Sequence, residues 1–263
     1  MADKSGFQVG QDAPRFYEAE SSRFMTPFVD ALVKTCVRRG DTVLDVACGT
    51  GFATRAAAVA AGPGTRIEGA DINPAMIKHA ATVAHQEKLA IRWCETSAVD
   101  LPYSMGDFDV VICQQGIQFF PDPAQAIREM VRVTRPGGRL GLTAWAPPTD
   151  DSFLHLEAEM LAHATGQPQP SFSVTAEQLN SWAIDGGLAN PSTEMLIIDV
   201  DLPPVEEYVP QHLKALPWSA SFFDLPDDAR QIALTQLEAR LQGFRTPTGI
   251  TAPFRSYLLT ATT

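Results

Sequence analysis

A glycine-rich turn and two acidic residues are the first candidates for chemistry. The turn lies in the stretch VLDVACGTG at residues 43–51, where an apolar run that contains Asp45 leads into Gly49 and Gly51. Such turns let the backbone approach a nucleotide-like ligand closely. Asp71 follows 22 positions after Gly49, and at about that separation a carboxylate can accept both hydrogen bonds of a ribose diol. Asp71 could otherwise cap a helix or face solvent.

Two common nucleotide-binding patterns fit this turn poorly. A phosphate-binding P-loop needs a Lys after its last glycine, and no Lys follows Gly51. The dinucleotide fingerprint needs a third glycine, and Thr54 stands where this chain would carry it. The residues therefore indicate a ribose-containing ligand other than a triphosphate, with a dinucleotide as the weaker alternative.

Strands that alternate with helices must position these residues. Strands are predicted at 42–47, 66–70, 91–94, 108–113 and 139–145, and helices at 12–39, 51–61, 73–88 and 123–134. A turn is predicted at Pro136-Gly137-Gly138. The alternation and the short connections predict an α/β fold with a doubly wound parallel sheet.

The pattern changes after Trp145. We expect helices at 151–164 and 175–185, a linker rich in Pro, Gln and Ser at 166–173, and strands at 194–202 and 254–260. Between these two strands, two helical stretches are expected, the first broken at Pro210. Helical insertions should therefore follow the fifth strand and separate the last two strands.

The order of the motifs resembles that of class I S-adenosylmethionine-dependent methyltransferases, above all the ubiquinone/menaquinone-biosynthesis branch. The matching stretches are VLDVACGTG at 43–51, GADINPAMI at 69–77, SAVDLPY at 97–103, FDVVICQQGIQFFPDP at 108–123 and EMVRVTRPGGRL at 129–140. The resemblance covers roughly residues 25–145. It implies a Rossmann-like seven-stranded sheet and a single methyltransferase domain over 1–263. The core segments would be 25–145, 174–202 and 253–263, and the helical cap segments 150–172 and 203–246.

The resemblance also implies S-adenosylmethionine as the cofactor and places its parts on this chain. The methionine part would lie against Ala47, Cys48, Gly49 and Gln114, and the ribose hydroxyls would bind Asp71. The adenine would pack on Ile72 and Met76 and meet Ser97 and Ala98 at its edge. Relatives often carry an Asp where Ser97 stands, and a serine hydroxyl would hold the exocyclic amine more weakly.

Methyl transfer from a sulfonium needs alignment and a dry pocket, whereas the need for a general base depends on the acceptor. Candidate groups on the acceptor side are Tyr17, Gln115, Gln118, Phe119, His155 and His163. Four of them are the candidate catalytic residues: Tyr17, Gln115, Gln118 and His155. Tyr17 could equally be a packed aromatic residue, and the amides could be structural. Relatives often carry a His where Phe119 stands, so no base is evident there.

Two further groups have both a structural and a functional interpretation. His155, Glu159 and His163 recur at every fourth position, but an apolar face opposite them indicates a solvated stripe, and no metal site is predicted. The aromatic residues of the later helices form either the core of the insertion or an apolar acceptor pocket; they are Trp182, Trp218, Phe222 and Phe223.

Composition limits the partners. The formal charge of −11 disfavours binding to nucleic acid or to an anionic membrane. The four cysteines form no C-x-x-C pair and the N-terminus carries no signal-peptide pattern, so we expect a cytoplasmic protein. The sequence leaves the oligomeric state open, with a homodimer as one option. The expected function is methyl transfer to a small, apolar or aromatic molecule. The alternatives are a methyltransferase-like cyclase or binding module that transfers no methyl group, and a nicotinamide oxidoreductase.

Overall fold

One sheet organises the computed structural model, which describes residues 12–150, 152–168, 170 and 172–263. Its strands are β1 (Val43–Val46), β2 (Ile67–Asp71), β3 (Arg92–Glu95), β4 (Phe108–Gln114), β5 (Thr134–Trp145), β6 (Ser192–Leu202), β7 (Arg245–Thr246) and β8 (Gly249–Thr262). The strand order is β3-β2-β1-β4-β5-β8-β6, and the two-residue β7 pairs with β8. β8 runs antiparallel to β5 and β6, whereas β1 to β5 are parallel. The predicted seven-stranded, doubly wound α/β fold is confirmed, with β7 as an eighth short strand.

The sheet has its topological switch point at β1. This strand pairs with β2 on one side and with β4 on the other, both in parallel. The connections that leave β1 and β4 therefore diverge at their carboxyl ends and open a crevice, which is where open α/β sheets bind ligands. The glycine-rich turn follows β1 directly and so lies at this crevice.

Helices cover both faces of the sheet. They are α1 (Ala13–Phe16), α2 (Ser22–Cys36), α3 (Phe52–Ala61), α4 (Pro74–Gln86), α5 (Pro123–Val133), α6 (Phe153–Thr165), α7 (Ala176–Asp185), α8 (Val205–Leu213), α9 (Ala220–Phe223) and α10 (Asp227–Arg240). A π-helical turn, Tyr17–Ser21, joins α1 to α2. One face of the sheet packs against α2 and α3, and the other packs against α5 and α7. Apolar residues of α6, α8 and α10 form a third core with β6 and β8.

Local sequence signals explain where several helices begin. The side chain of Asn73 accepts hydrogen bonds from the backbone N–H groups of Ala75 and Met76, and Pro74 occupies the first helical position of α4. The capping box predicted for α7 is present between Thr175 and Gln178. These caps confirm the predicted starts of both helices.

Some predicted boundaries were wrong. Pro210 lies inside α8 instead of breaking it, and three helices rather than two occupy the insertion between β6 and β8. The proline deprives only the exposed Glu206 carbonyl of an intrahelical partner, so a nine-residue helix tolerates it. The Pro136-Gly137-Gly138 turn is an irregularity within β5, where the register to β4 shifts. The first helical region ends at Cys36, not at residue 39.

Several predictions fall outside the described residues or stay untested. The expectations for residues 1–11, for Asp151 and for positions 169 and 171 of the linker concern the undescribed parts of the chain. The division into core and cap segments stays a prediction. No helix in the described ranges is long and apolar enough to cross a membrane. All four cysteines are free thiols.

Candidate active site

A cavity of about 560 Å³ lies between the carboxyl ends of β1, β2 and β4 and the helical segments that follow β5. Its lining falls into two groups of residues. The turn end comprises Ala47, Cys48, Gly49, Asp71, Ile72, Met76, Ser97, Ala98 and Gln114. The aromatic end comprises Phe119, Phe172 and Trp218 together with Glu157 and His212. All nine residues predicted to bind the cofactor thus line one cavity, although their roles stay predictions.

Left-handed backbone conformations shape the turn after β1. Ala47 has φ +56°, Gly49 has φ +55° and Gly51 has φ +89°. For a residue with a Cβ this conformation costs about 1–2 kcal/mol, and such strain is concentrated at functional sites. A Cβ on Gly49 would meet no atom within 4 Å, so this glycine faces open space in the cavity. The turn therefore presents bare backbone to a ligand.

Asp71 ties the turn to the end of β2. One carboxylate oxygen accepts a hydrogen bond from the Gly49 N–H at 2.8 Å, and the other accepts one from the Asn73 N–H at 2.8 Å. Burial raises the pKa of the Asp71 carboxyl, and these backbone donors oppose the increase. Because an ionised carboxylate offers about four lone-pair sites, two remain for the hydroxyl donors of a ribose.

A second buried acid, Asp45, lies beneath the turn rather than in the cavity lining. Its Oδ2 accepts a hydrogen bond from the Thr54 hydroxyl at 2.6 Å. Its Oδ1 has no hydrogen-bond partner among the described residues. Burial raises its pKa to about 7. Thr54, which stands in place of a third glycine, therefore supports Asp45 from α3.

The end of β4 contributes the other strained residue at the crevice. Gln115 has φ +54°, and its side-chain amide donates to the Ser256 hydroxyl at 2.8 Å. A Cβ on the next residue, Gly116, would approach the Ala47 Cβ to 2.6 Å, so the two strand ends pack tightly. Gln118 donates to the Gln115 carbonyl at 3.0 Å and is absent from the cavity lining. The catalytic roles of both glutamines stay predictions, and both amides have structural partners.

Tyr17 lines the cavity from the π-helical turn. Its ring stacks on Phe52 with 6.0 Å between centroids. Burial and the nearby Asp71 and Glu18 carboxylates raise the pKa of its hydroxyl far above the ordinary value, so Tyr17 stays protonated. Glu18 pairs with Arg55 on α3 at 2.6 Å and fixes the turn over the sheet. Tyr17 can therefore donate a hydrogen bond at the site but is a poor general base.

The His/Glu stripe of α6 divides between the cavity and solvent. His155 lines the cavity and lies 3.5 Å from Glu159, while Glu159 also pairs with Arg240 of α10 at 2.7 Å. His163 is exposed. No group of three or more potential metal ligands occurs in the part of the chain that the structure describes.

Three aromatic rings follow one another along the aromatic end. Phe119 lies 4.6 Å from Phe172, and Phe172 lies 4.9 Å from Trp218, measured between ring centroids. The rings come from the turn after β4, the segment before α7 and the segment after α8. Trp218 thus lines the cavity, whereas Trp182 packs on the core beneath α5 and α7, and Phe222 is buried in the insertion core.

Sequence reasoning missed a buried pair at the aromatic end. The Nδ1 atom of His212 on α8 lies 2.9 Å and 3.0 Å from the two carboxylate oxygens of Glu157 on α6. Glu157 lies four residues after Phe153 and four before Leu161, so it shares their apolar helix face. The sequence therefore contained a signal for Glu157, a carboxylate on an apolar helix face. It contained no signal for the partner His212, which lies 55 residues away.

Comparison with known proteins agrees with this geometry. A family model described as a methyltransferase domain matches residues 44–142. A demethylmenaquinone methyltransferase of Halalkalibacterium halodurans is 30% identical over 168 residues, which cover 64% of this chain and 68% of that protein. An uncharacterised protein of Mycobacterium tuberculosis is 36% identical over 132 residues, covering 50% of this chain and 47% of that protein. The chain therefore spans about half the length of several curated relatives that it matches.

The fold has a counterpart among solved structures. A structure of an S-adenosylmethionine-dependent methyltransferase from Aquifex aeolicus superposes with a TM-score of 0.56 at 17% identity, covering 72% of this chain and 93% of that chain. At that identity the likeness shows the fold alone. Together with the sequence matches, it shows that this chain belongs to the class I S-adenosylmethionine-dependent methyltransferase family, whose cofactor is S-adenosylmethionine.

Proposed function

We propose that this protein transfers a methyl group from S-adenosylmethionine to a small, apolar or aromatic molecule. The observation that carries the proposal is the two-ended cavity. Its lining combines a turn end of bare backbone and one carboxylate with an aromatic end of three successive rings. A volume of about 560 Å³ is within the usual range for small-molecule sites.

The turn end fits the cofactor in its shape and its donor set. Gly49 leaves open space where any other residue would place a Cβ, and its left-handed backbone is held by Asp71. We assign the ribose hydroxyls to the Asp71 carboxylate and the adenine to Ile72 and Met76. The methionine part would contact the backbone of 47–49 and the Gln114 amide. The positive charge of the sulfonium would favour the ionised forms of Asp45 and Asp71, the two acids whose pKa values are raised by burial.

The residues of this chain then act by position rather than by covalent chemistry. When bound, the cofactor supplies a methyl group whose transfer forms one bond to the acceptor atom and breaks the carbon–sulfur bond, leaving the electron pair on sulfur. The turn end orients the donor, and the aromatic end holds the acceptor in line with it. Tyr17 and Phe52 stack on each other and line the cavity beside the π-helical turn, where they would shield the reacting atoms from water.

The aromatic end supports an apolar acceptor. Three rings at 4.6 Å and 4.9 Å spacing, tilted by 47° and 37° to one another, give this part of the lining an apolar, aromatic character that suits an aromatic molecule. The relative from Halalkalibacterium halodurans is named for demethylmenaquinone, an apolar aromatic compound. We therefore propose an aromatic acceptor of that kind, such as a quinol or a phenol. A cytoplasmic location, a homodimer and the absence of nucleic-acid binding stay predictions.

A label-transfer experiment tests the proposal. The protein would be incubated with methyl-labelled S-adenosylmethionine and fractions of an apolar metabolite extract, and labelled products would be identified by mass spectrometry. We expect label in an apolar compound together with stoichiometric S-adenosylhomocysteine, and none with the Asp71→Ala variant. Cofactor binding without label in any fraction would contradict methyl transfer and favour a cyclase or binding module.

A further inference from the structure

The buried pair formed by Glu157 and His212 is the feature of the cavity that the proposed function does not explain. Both side chains are almost fully buried, with 4% and 3% of their surface exposed. Burying two ionisable groups among apolar residues is costly, and it confers little stability compared with apolar residues of the same size. Both residues nevertheless line the cavity. The geometry points to a chemical role, and we propose that His212, oriented by Glu157, is the general base that takes a proton from the acceptor.

Three contacts hold the His212 ring in one orientation. The Nδ1 atom of His212 lies 2.9 Å from one carboxylate oxygen of Glu157 and 3.0 Å from the other. The ring stacks on Tyr208 at 5.5 Å with an interplanar angle of 9°. The ring of Phe24 meets it edge-on at 5.5 Å and 88°. A base whose ring is fixed by a carboxylate and by packing is the arrangement in which an imidazole accepts protons effectively.

The pair also determines which nitrogen reacts. We assign the hydrogen of this contact to Nδ1, with the Glu157 carboxylate as the acceptor. We therefore assign the lone pair of the neutral ring to Nε2, which makes no hydrogen bond to any residue that the structure describes. Nε2 is thus the atom that can accept a proton from a ligand in the cavity.

The position of His212 suits an acceptor that is close to the turn end. Phe24, which touches the His212 ring, precedes Met25 on α2, and the Met25 sulfur lies 3.3 Å from the Gln114 amide nitrogen. Gln114 is the last residue of β4 and belongs to the turn end. His212 and Gln114 are therefore linked through two neighbouring residues of α2, Phe24 and Met25.

The charged and titratable groups around His212 leave it as the proton acceptor. Glu157 faces it from α6, and Tyr208 lies against it on α8. Burial together with Glu157 and Glu20 keeps the pKa of the Tyr208 hydroxyl far above its ordinary value, and Arg23 opposes this. The Tyr208 hydroxyl donates a hydrogen bond to the Glu20 carbonyl at 3.3 Å. Tyr208 thus stays neutral and does not compete as a base.

The inference rests on the proposed function and narrows the acceptor to a molecule with an ionisable hydroxyl, such as a phenol or a hydroquinone. The O–H bond of the acceptor breaks, its electron pair stays on oxygen, and the proton moves to Nε2. The resulting oxygen nucleophile, or the ring carbon conjugated with it, receives the methyl group. The imidazolium of His212 then releases the proton to water.

Ionisation of a bound chromogenic phenol tests this without any methyl transfer. 4-Nitrophenol would be titrated with pH in the presence of the protein saturated with S-adenosylhomocysteine, and the phenolate would be read by its visible absorbance. We expect the wild type to lower the apparent pKa of the bound probe by about one unit, a tenfold gain in the ratio of phenolate to phenol. His212→Asn should abolish the shift, and Glu157→Gln should reduce it.

Two controls separate proton transfer from folding. His85→Asn changes an exposed histidine of α4 and should leave the shift unchanged. Calorimetry with S-adenosylhomocysteine should give wild-type affinity for each variant, and Glu157→Gln carries the test if His212→Asn does not fold. An unshifted probe on the wild type, or a full shift with His212→Asn, would overturn the inference. Failure of the proposed function would instead appear as a shifted probe without any labelled product.

Discussion

The turn end and the aromatic end of the cavity are built in different ways. The turn end consists of strand ends and backbone donors from residues 47–49, with Asp71 and Asn73 holding them in place. The aromatic end consists of side chains from five separate segments, brought together only by tertiary packing. S-adenosylmethionine, the methyl donor that related proteins share, suits a site fixed by the sheet. A methyl acceptor that differs between them suits a site built on variable helices.

The largest effect is expected at the turn end. Asp71→Ala removes the carboxylate that bonds Gly49 and Asn73 and that we assign to the ribose. We expect S-adenosylmethionine to bind about 100-fold more weakly, since two charge-assisted hydrogen bonds are lost. Calorimetry measures this, with Asp199→Ala on the exposed side of β6 as the control. Normal binding by a folded Asp71→Ala protein would show that the ribose assignment is wrong.

Trp218→Ala tests the aromatic end and should leave the turn end intact. The variant removes the last of the three rings, so 4-nitrophenol should bind about tenfold more weakly, with unchanged affinity for S-adenosylmethionine. Trp182→Ala, which removes a tryptophan outside the cavity lining, should lower the melting temperature without weakening the binding of 4-nitrophenol. Equal losses of probe and cofactor with Trp218→Ala would contradict the division into two ends.

A pair of glycine variants separates backbone strain from ligand contact. Gly49 and Gly64 both have positive φ, +55° and +82°, and open space at the position of a Cβ. Gly49→Ala and Gly64→Ala should therefore each lower the free energy of unfolding by about 1 kcal/mol. Only Gly49→Ala should also weaken S-adenosylmethionine binding, by about fivefold, because its Cβ enters the cavity. If both variants bound S-adenosylmethionine with equal affinity, the turn would not be part of the cofactor site.

The smallest effect on binding is expected at Asp45, where the main consequence is the pH dependence of stability. Its pKa rises from 3.8 to about 7 on folding, so the folded state binds the proton more tightly. Stability should therefore fall by up to about 1.4 kcal/mol per pH unit as pH rises through this window, and level off above it. The Asp45→Asn variant lacks the carboxyl that binds this proton, so it lacks this contribution to the pH dependence of stability.

Urea unfolding at several pH values checks this sign. Asp45→Asn should gain stability relative to the wild type between pH 5 and pH 8. Asp107→Asn should differ from the wild type by a constant amount over this range, because the hydrogen bond from Arg66 lowers the pKa of Asp107 from 3.8 and its titration therefore lies at more acidic pH. If the stability difference between Asp45→Asn and the wild type did not change with pH, Asp45 would be an ordinary acid in the folded protein.

The sequence predicted the turn end far better than the aromatic end, for a physical reason. Gly49, Asp71 and the helix start at Asn73 are local signals, each tied to a strand end within a few residues. The order of the parallel strands brings them together without further information. All nine residues predicted to bind the cofactor consequently line one cavity, and their roles stay predictions.

The aromatic end depends on contacts between distant segments. Phe119, Phe172 and Trp218 come from three connections, and the pairing of Glu157 with His212 spans 55 residues. Helical periodicity identifies the buried face of α6 but not what lies against it. The predicted break at Pro210 was wrong because it assumed that a proline must end a helix. Water can instead bond the carbonyl that the proline leaves without an intrahelical partner.

The central claim is that one cavity holds a donor and an acceptor side by side. Binding of 4-nitrophenol, measured by calorimetry with and without saturating S-adenosylhomocysteine, tests it most directly. The two-ended cavity predicts that both ligands bind together, one of each per chain, with the affinity for the probe equal or higher when the turn end is filled. Displacement of the probe by S-adenosylhomocysteine would contradict the account, since the two molecules would then share one site.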